Sequence, residues 1–274
     1  MTKNMATRIL TGVGLIGVVA FALYMGGWVF SVLWVAAVSF AMAEVFHAFA
    51  QAGHRPVAWP SWVCLIISIP SFMLLTEATS LVLLVVTMFL TFLVVAFVVM
   101  FRRDPKLVDM LVSLLPLFSV VLPGICMLGL LRTTPNIKQN LLMTAAFIIP
   151  VLGDAGAYFV GVKLGSVKLN PAISPKKTLE GAVGGLVCST LGAMAVYLVG
   201  LSFSSDLPPW WHFALLGFFG GVIGQLGDLF ASMIKRHSNI KDFGHVFPGH
   251  GGMMDRLDSI FFVTVFVYLY QVAW

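Results

Sequence analysis

The chain has 274 residues, of which 59% are hydrophobic and 10% charged, with a formal net charge of +5. A soluble domain carries about 25% charged residues, so too little polar surface exists to cover a water-soluble globule of this length. Disorder, a collagen-like repeat and a nucleic-acid-binding domain are excluded on the same grounds, and the predicted fold class is an all-α integral membrane protein.

A bilayer core needs about 20 mostly apolar helical residues per crossing. Between Arg8 and Glu44 lie 35 uncharged residues, too many for one straight helix, and Gly26-Gly27 offers a tight turn in the middle. Two spans follow, 9–25 and 28–48. The apolar N-terminus lacks a small-x-small cleavage site at the right distance, so it reads as the first membrane helix rather than a signal peptide. Arg55 to Glu77 encloses a third span, broken late by Pro70, and 79–101 forms a fourth. The fifth, 110–131, carries Pro116 and Pro123, which membrane helices tolerate when neighbours satisfy the freed carbonyls. Spans over 140–162, 180–203, 210–234 and 257–274 complete a count of about nine. Glu44 and Glu77, near span ends, read as solvated or snorkelling residues. Cys64, Cys126 and Cys188 are scattered through apolar runs and read as buried small hydrophobes.

The basic residues test the count. With a cytoplasmic N-terminus and an external C-terminus, 14 Lys and Arg fall inside and only Arg132 and Lys138 outside, as the positive-inside rule asks. No internal repeat is evident, which disfavours common transporter designs. The chain divides functionally at residue 140. Residues 1–139 form an N-terminal membrane region of about five spans, poor in polar groups. Residues 140–274 form a second membrane region of about four spans with cytoplasmic loops, which holds nearly all the polar chemistry and is expected to be the catalytic one.

Two carboxylates, Asp154 and Asp228, lie inside otherwise apolar helices, where an ionisable group costs on the order of 3 kcal/mol and is a functional candidate. Around Asp154 the chain reads Gly153-Asp154-Ala155-Gly156-Ala157-Tyr158, followed by Ser174-Pro175-Lys176-Lys177-Thr178-Leu179-Glu180-Gly181. Thr178 or Ser174 is suited to cap the seventh span. The two adjacent lysines before a helix start make a candidate site for an anionic phosphate. A second cluster runs from Asp228 to Asp258, with four carboxylates, four permanent cations and three histidines in 31 residues. Asp228, Ser232 and Lys235 share one helical face, and Asp255 and Asp258 are three residues apart. Two carboxylate-bearing helix ends joined by a Gly-rich loop form a candidate Mg²⁺ site at the membrane face. The cations Lys235, Arg236, Lys241 and Arg256 would face substrate phosphates. Gly217, Gly220, Gly221, Gly224 and Gly227 line the eighth helix at spacings of three and four, which permits close helix contact and walls in Asp228.

The run Ser232-x-Ile234-Lys235-Arg236-x4-Lys241-Asp242-x-Gly244-x3-Pro248-x-His250-Gly251-Gly252-x2-Asp255-Arg256-Leu257-Asp258 resembles the signature of phosphatidate cytidylyltransferases (CDP-diacylglycerol synthases). The Ser174–Thr178 and Asp154–Tyr158 stretches are similar to that family too. The resemblance covers 150–274 by motif and the whole chain by length and hydropathy. It implies transfer of a cytidylyl group from CTP to phosphatidic acid, giving CDP-diacylglycerol and pyrophosphate. It also implies a homodimer embedded among membrane lipids, and Mg²⁺ in a two-metal centre with K⁺ as a candidate second ion. Position by position, Asp228 and Asp255 match the metal-binding carboxylates. Lys235, Arg236, Lys241, Asp242, Arg256 and Asp258 are assigned with them to the catalytic set. Asp154, Ser174, Lys176, Lys177, Thr178, Glu180, His250 and Gly251 are assigned to substrate binding.

The chemistry agrees with that implication. The nucleophile is already an anion, so the reaction needs charge neutralisation and in-line positioning rather than a strong base. Three other readings stay open. A CDP-alcohol phosphotransferase would want an Asp-Gly pair, absent here. A CTP-dependent lipid kinase would move the γ-phosphoryl group, and a metal transporter would use Asp154 and Asp228 without CTP. The compact size and absence of a targeting extension point to a bacterial inner membrane, with the active site at the cytoplasmic face.

Overall fold

The computed structural model describes residues 3–131, 137–247, 249 and 251–273, without the side chains of 3–9. The chain forms two compact units. One comprises Met1–Arg132 with His237–Arg256, the other Thr133–Arg236 with Leu257–Trp274. The units do not follow a single cut in the chain, because residues 237–256 return to the N-terminal helices.

In the first unit, α1 (Lys3–Met25) and α2 (Gly27–Gln51) are separated by Gly26 and Gly27, with φ of +56° and +47°. Both angles lie in the left-handed region that side chains with a Cβ avoid, which is why the expected turn falls at this glycine pair. α3 (Trp59–Leu74) contains Pro70 and has 16 residues, roughly 24 Å of helix. α4 (Glu77–Met100) starts at a Thr76 cap whose hydroxyl accepts from Thr79 N–H. The proline-bearing span is one interrupted rod. α5 (Leu107–Pro116) passes through a π-helical turn, Leu117–Val121, into α6 (Leu122–Leu130). Leu122 N–H donates to Leu117 O, five residues back, an arrangement that absorbs the mismatch left by prolines without an N–H. Trp34 Nε1 of α2 donates to Gly124 O of α6 at 2.9 Å. The close approach has a cause: a Cβ at Gly124 would lie 2.8 Å from Val38 Cγ2. Asp109 is buried and receives Arg55 N–H at 3.0 Å and Arg102 Nη1 at 3.2 Å.

In the second unit, α7 (Ile137–Leu164) runs into an antiparallel hairpin, β1 (Lys168–Asn170) and β2 (Ser174–Thr178), and then into α8 (Leu179–Leu201). α9 (Trp210–His237) and α10 (Met254–Ala273) complete the order of elements. The hairpin was not expected from the sequence, in which the stretch between the spans 140–162 and 180–203 reads as a cytoplasmic loop. The α7–α8 and α8–α9 contacts are made through glycine. A Cβ at Gly184 would meet Val160 at 2.5 Å, and one at Gly217 would lie 2.6 Å from Thr190 Cα. In lipid, where apolar surface gains little from association, such backbone proximity is what holds helices together.

Among the described residues, seven helical stretches are long and apolar enough to cross a membrane: Gly27–Gln51, Glu77–Met100, Leu107–Leu130, Ile137–Leu164, Leu179–Leu201, Trp210–His237 and Met254–Ala273. Leu10–Met25 and Trp59–Leu74 are shorter apolar helices. All nine expected apolar segments are therefore helical, and the architecture is that of an all-α membrane protein.

Candidate active site

The second unit gathers a carboxylate cluster from three helices. Asp154 comes from α7, Asp228 from α9 and Asp258 from α10. Lys177, on β2, places its Nζ 2.5 Å from Asp228 Oδ2. Asp258 is 6% exposed and lies in the electrostatic field of Asp228, Asp154 and Lys235. Its Oδ1 accepts from Ser259 N–H at 2.7 Å, and Ser259 Oγ is 3.4 Å from Asp154 Oδ2. The glycine face of α9 makes this convergence possible. A Cβ at Gly227 would stand 2.8 Å from the Asp258 carbonyl oxygen, so α9 and α10 touch backbone to side of backbone beside Asp228.

The hairpin sorts the two adjacent lysines. Side chains alternate along a strand, so Lys177 turns onto Asp228 while Lys176 is exposed. The phosphate site expected of the pair thus has one lysine engaged with a carboxylate and one open. Ser174 opens the strand, half-buried. Arg236 Nε, near the end of α9, donates to Ile173 O in the hairpin turn at 3.2 Å, tying the turn to the helix that carries Asp228. Glu180 accepts from Ser166 Oγ and from Val167 N–H. It therefore anchors the entry to the hairpin, a partner choice the sequence did not reveal.

Of the two expected candidates, Thr178 and Ser174, Thr178 caps α8: its Oγ1 accepts from Gly181 N–H at 3.2 Å. Because it follows Lys177 directly, this cap also sets where the lysine stands. Thr178→Ala is expected to cost about 1 kcal/mol, read as a lower thermal midpoint in detergent, with Thr178→Ser restoring it. An unchanged midpoint in the alanine variant would remove the cap from the account.

The first unit holds the other half of the motif. Lys241, Asp242 and Arg256 are exposed. Asp255 is buried, and its Oδ2 accepts from Phe243 N–H at 2.8 Å and Gly252 N–H at 3.0 Å. The loop is closed further by Phe247 N–H donating to Gly251 O at 3.0 Å. Gly251 has φ +84°, and a Cβ there would meet Asp255 Oδ2 at 2.9 Å, so glycine is required on both counts. His250 and Pro248 lie outside the described residues, as does Arg132.

The same unit contains a residue the sequence reading misjudged. Glu44 of α2 is 9% exposed, not solvated, and both of its carboxylate oxygens accept backbone N–H groups of the loop, from Met253 at 3.0 Å and Met254 at 2.8 Å. The signal available was a lone acid in an apolar helix, the same signal that singled out Asp154 and Asp228. Its position near a span end concealed it.

The donor set suits a hard cation. Among the described residues no group of three or more His, Cys, Asp or Glu is drawn together tightly enough to hold a metal by itself. Mg²⁺ does not require such a cage, because it is commonly bound by one or two carboxylates, with waters and substrate phosphates completing its six ligands.

The chain matches the cytidylyltransferase family over residues 6–274. A phosphatidate cytidylyltransferase of Bacillus subtilis is 49% identical over 116 residues, 42% of this chain and 41% of that one. One from Staphylococcus saprophyticus is 41% identical over 147 residues, 54% of each chain. One from Staphylococcus aureus is 37% identical over 174 residues, 64% of each. These alignments span between 41% and 64% of the length of the relatives.

Proposed function

The chain belongs to the cytidylyltransferase family, and from that premise we propose that it transfers the cytidylyl group of CTP to phosphatidic acid, releasing pyrophosphate and forming CDP-diacylglycerol in phospholipid synthesis. The observation that carries this reading is the family match along almost the whole chain, joined to carboxylates and lysines set at helix ends. A phosphatidate oxygen forms the new bond to the α-phosphorus of CTP while the bond to pyrophosphate breaks. Both partners are anions, so the reaction asks for positive charge and orientation above all.

In this reading Lys235, Arg236, Lys241 and Arg256 supply fixed positive charge, and Lys176 and Lys177 draw phosphate toward the hairpin. Asp228 and Asp255 are the carboxylates assigned to Mg²⁺, with Asp242 and Asp258 as further ligands or as groups that orient the cations. Bound there, Mg²⁺ would polarise phosphoryl oxygens and neutralise the departing pyrophosphate; K⁺ is the candidate second ion. Asp154, Ser174, Thr178, Glu180, His250 and Gly251 complete the substrate-facing set, directly or by fixing the hairpin and loop. The reading takes the protein as nine crossings with the N-terminus cytoplasmic and the C-terminus external, the positive-inside count being its support. It takes the site to face the cytoplasm of a bacterial cell, where CTP and a lipid headgroup meet, and the working form to be a homodimer.

The test is conversion of phosphatidic acid by detergent-purified protein, with CTP labelled at the α-phosphate. Chloroform-extractable label that depends on Mg²⁺ is expected. Lipid label from γ-labelled CTP instead would assign a lipid kinase, and folded protein yielding no lipid label from either would overturn the proposal.

A further inference from the structure

The buried carboxylate of Glu44 has no place in the chemistry above, yet the residues flanking its partners do. It projects from α2 onto a loop 209 residues later, the loop that presents Gly251 and leads directly into Asp255 and Arg256. The two N–H groups it receives, from Met253 and Met254, stand at the start of α10. The first N–H groups of a helix have no partner within it, and a carboxylate placed there satisfies them while complementing the helix dipole. Local caps come from a residue just before the helix; here the cap comes from another helix. The fit leaves no slack. A Cβ at Gly252 would lie 2.5 Å from both Glu44 oxygens, and one at Gly244 would overlap Glu44 Oε1. Both ends of the 244–252 loop are thus glycine where they pass this side chain.

We infer that Glu44 is a positioning residue for cytidylyl transfer: it clamps residues 252–254 and the first turn of α10, so that the groups carried there meet their phosphates in fixed geometry. This rests on the proposed activity. Asp255 fastens the same loop from within, through Phe243 and Gly252 N–H, and Glu44 fastens the loop end to α2. Glu44 touches neither reacting group; it acts through the backbone it holds.

Glu44→Gln isolates the effect. The glutamine has the same shape and keeps one acceptor oxygen, but its NH₂ replaces the other acceptor and faces a backbone N–H donor. Two measurements are made on full-length protein in detergent. In hydrogen exchange, peptides covering 251–256 should lose protection by about tenfold or more as charge-assisted bonds are lost, with peptides of α7 and α8 unchanged. In turnover from α-labelled CTP, kcat should fall on the order of 10²-fold, the scale of a small misplacement of reacting groups, while KM for phosphatidic acid stays at the wild-type value. A merely structural role would lower the amount of active protein without this split. Gly252→Ala gives a second handle: it should mimic Glu44→Gln in both measurements, because its methyl group displaces the carboxylate.

Unchanged exchange over 251–256 in both variants would overturn the clamp. Increased exchange with wild-type kcat would overturn the positioning role. If the wild-type protein transfers no cytidylyl group at all, the activity reading fails and the positioning role with it, and exchange alone then decides whether the clamp exists.

Discussion

Asp228→Asn is expected to reduce cytidylyl transfer by on the order of 10³-fold, or about 4 kcal/mol of transition-state stabilisation. The substitution barely alters shape, so the glycine-mediated packing of α9 is retained. What changes is one unit of negative charge at a position where Lys177 Nζ lies 2.5 Å away and where Asp258 and Lys235 lie in the same field. Loss of the carboxylate removes an assigned Mg²⁺ ligand and leaves Lys177 without this carboxylate partner, so the site becomes more positive by one unit of charge. Asp228 is about a quarter exposed, which makes unfolding a minor consequence, and monodispersity in detergent checks it. The assay is label transfer from α-labelled CTP at saturating Mg²⁺. Retention of more than about a tenth of wild-type turnover, far above the loss typical of a removed charge-stabilising group, would take Asp228 out of the catalytic set.

A second large effect is expected from Gly227→Ala, where one methyl group is the whole perturbation. Its Cβ would stand 2.8 Å from the Asp258 carbonyl oxygen and 2.9 Å from the Phe262 ring. A ring can turn, but a helical carbonyl moves only if α10 moves with it. Overpacking of this kind costs about 1–3 kcal/mol, and here the displaced helix carries Asp258 while the displacing residue adjoins Asp228. Both the thermal midpoint and turnover should fall. Gly14→Ala is the control, because no heavy atom lies within 4 Å of a Cβ there, and it should match wild type in both. Wild-type stability and turnover for Gly227→Ala would show that α9 and α10 are free to separate at this point, and the account of the glycine face would need replacing.

The two substitutions probe features that differ in how visible they were. The glycine ladder of α9 and the intramembrane acids Asp154 and Asp228 stood out in the bare chain, because in lipid a charge or a run of small residues is conspicuous against an apolar background. A cap for α8 was legible at Thr178 or Ser174, and the structure puts it on Thr178. Lys176 and Lys177, by contrast, read as an interchangeable pair. Only the β2 backbone separates them, since alternation sends Lys177 to Asp228 and Lys176 outward. Strands as short as Lys168–Asn170 and Ser174–Thr178, with Leu169 their one large apolar side chain, carry no hydrophobic period by which to be recognised.

What the amino-acid sequence by itself determined was the solvent and the local elements. Nine apolar segments, the turn at Gly26-Gly27, the proline-interrupted fifth span and the C-terminal concentration of chemistry follow from residue types within a window of about 20 positions, the length that a bilayer imposes. The motif spacing between Ser232 and Asp258 was sufficient to suggest the family. The tertiary structure alone decided partners remote in sequence: Lys177 on Asp228, Arg236 on the hairpin turn, and Glu44 on Met253 and Met254. The reason is physical. Hydropathy and capping are properties of neighbouring residues, whereas a buried carboxylate's partner is whichever donor the packed helices bring to it, and across 209 residues no local pattern records that choice.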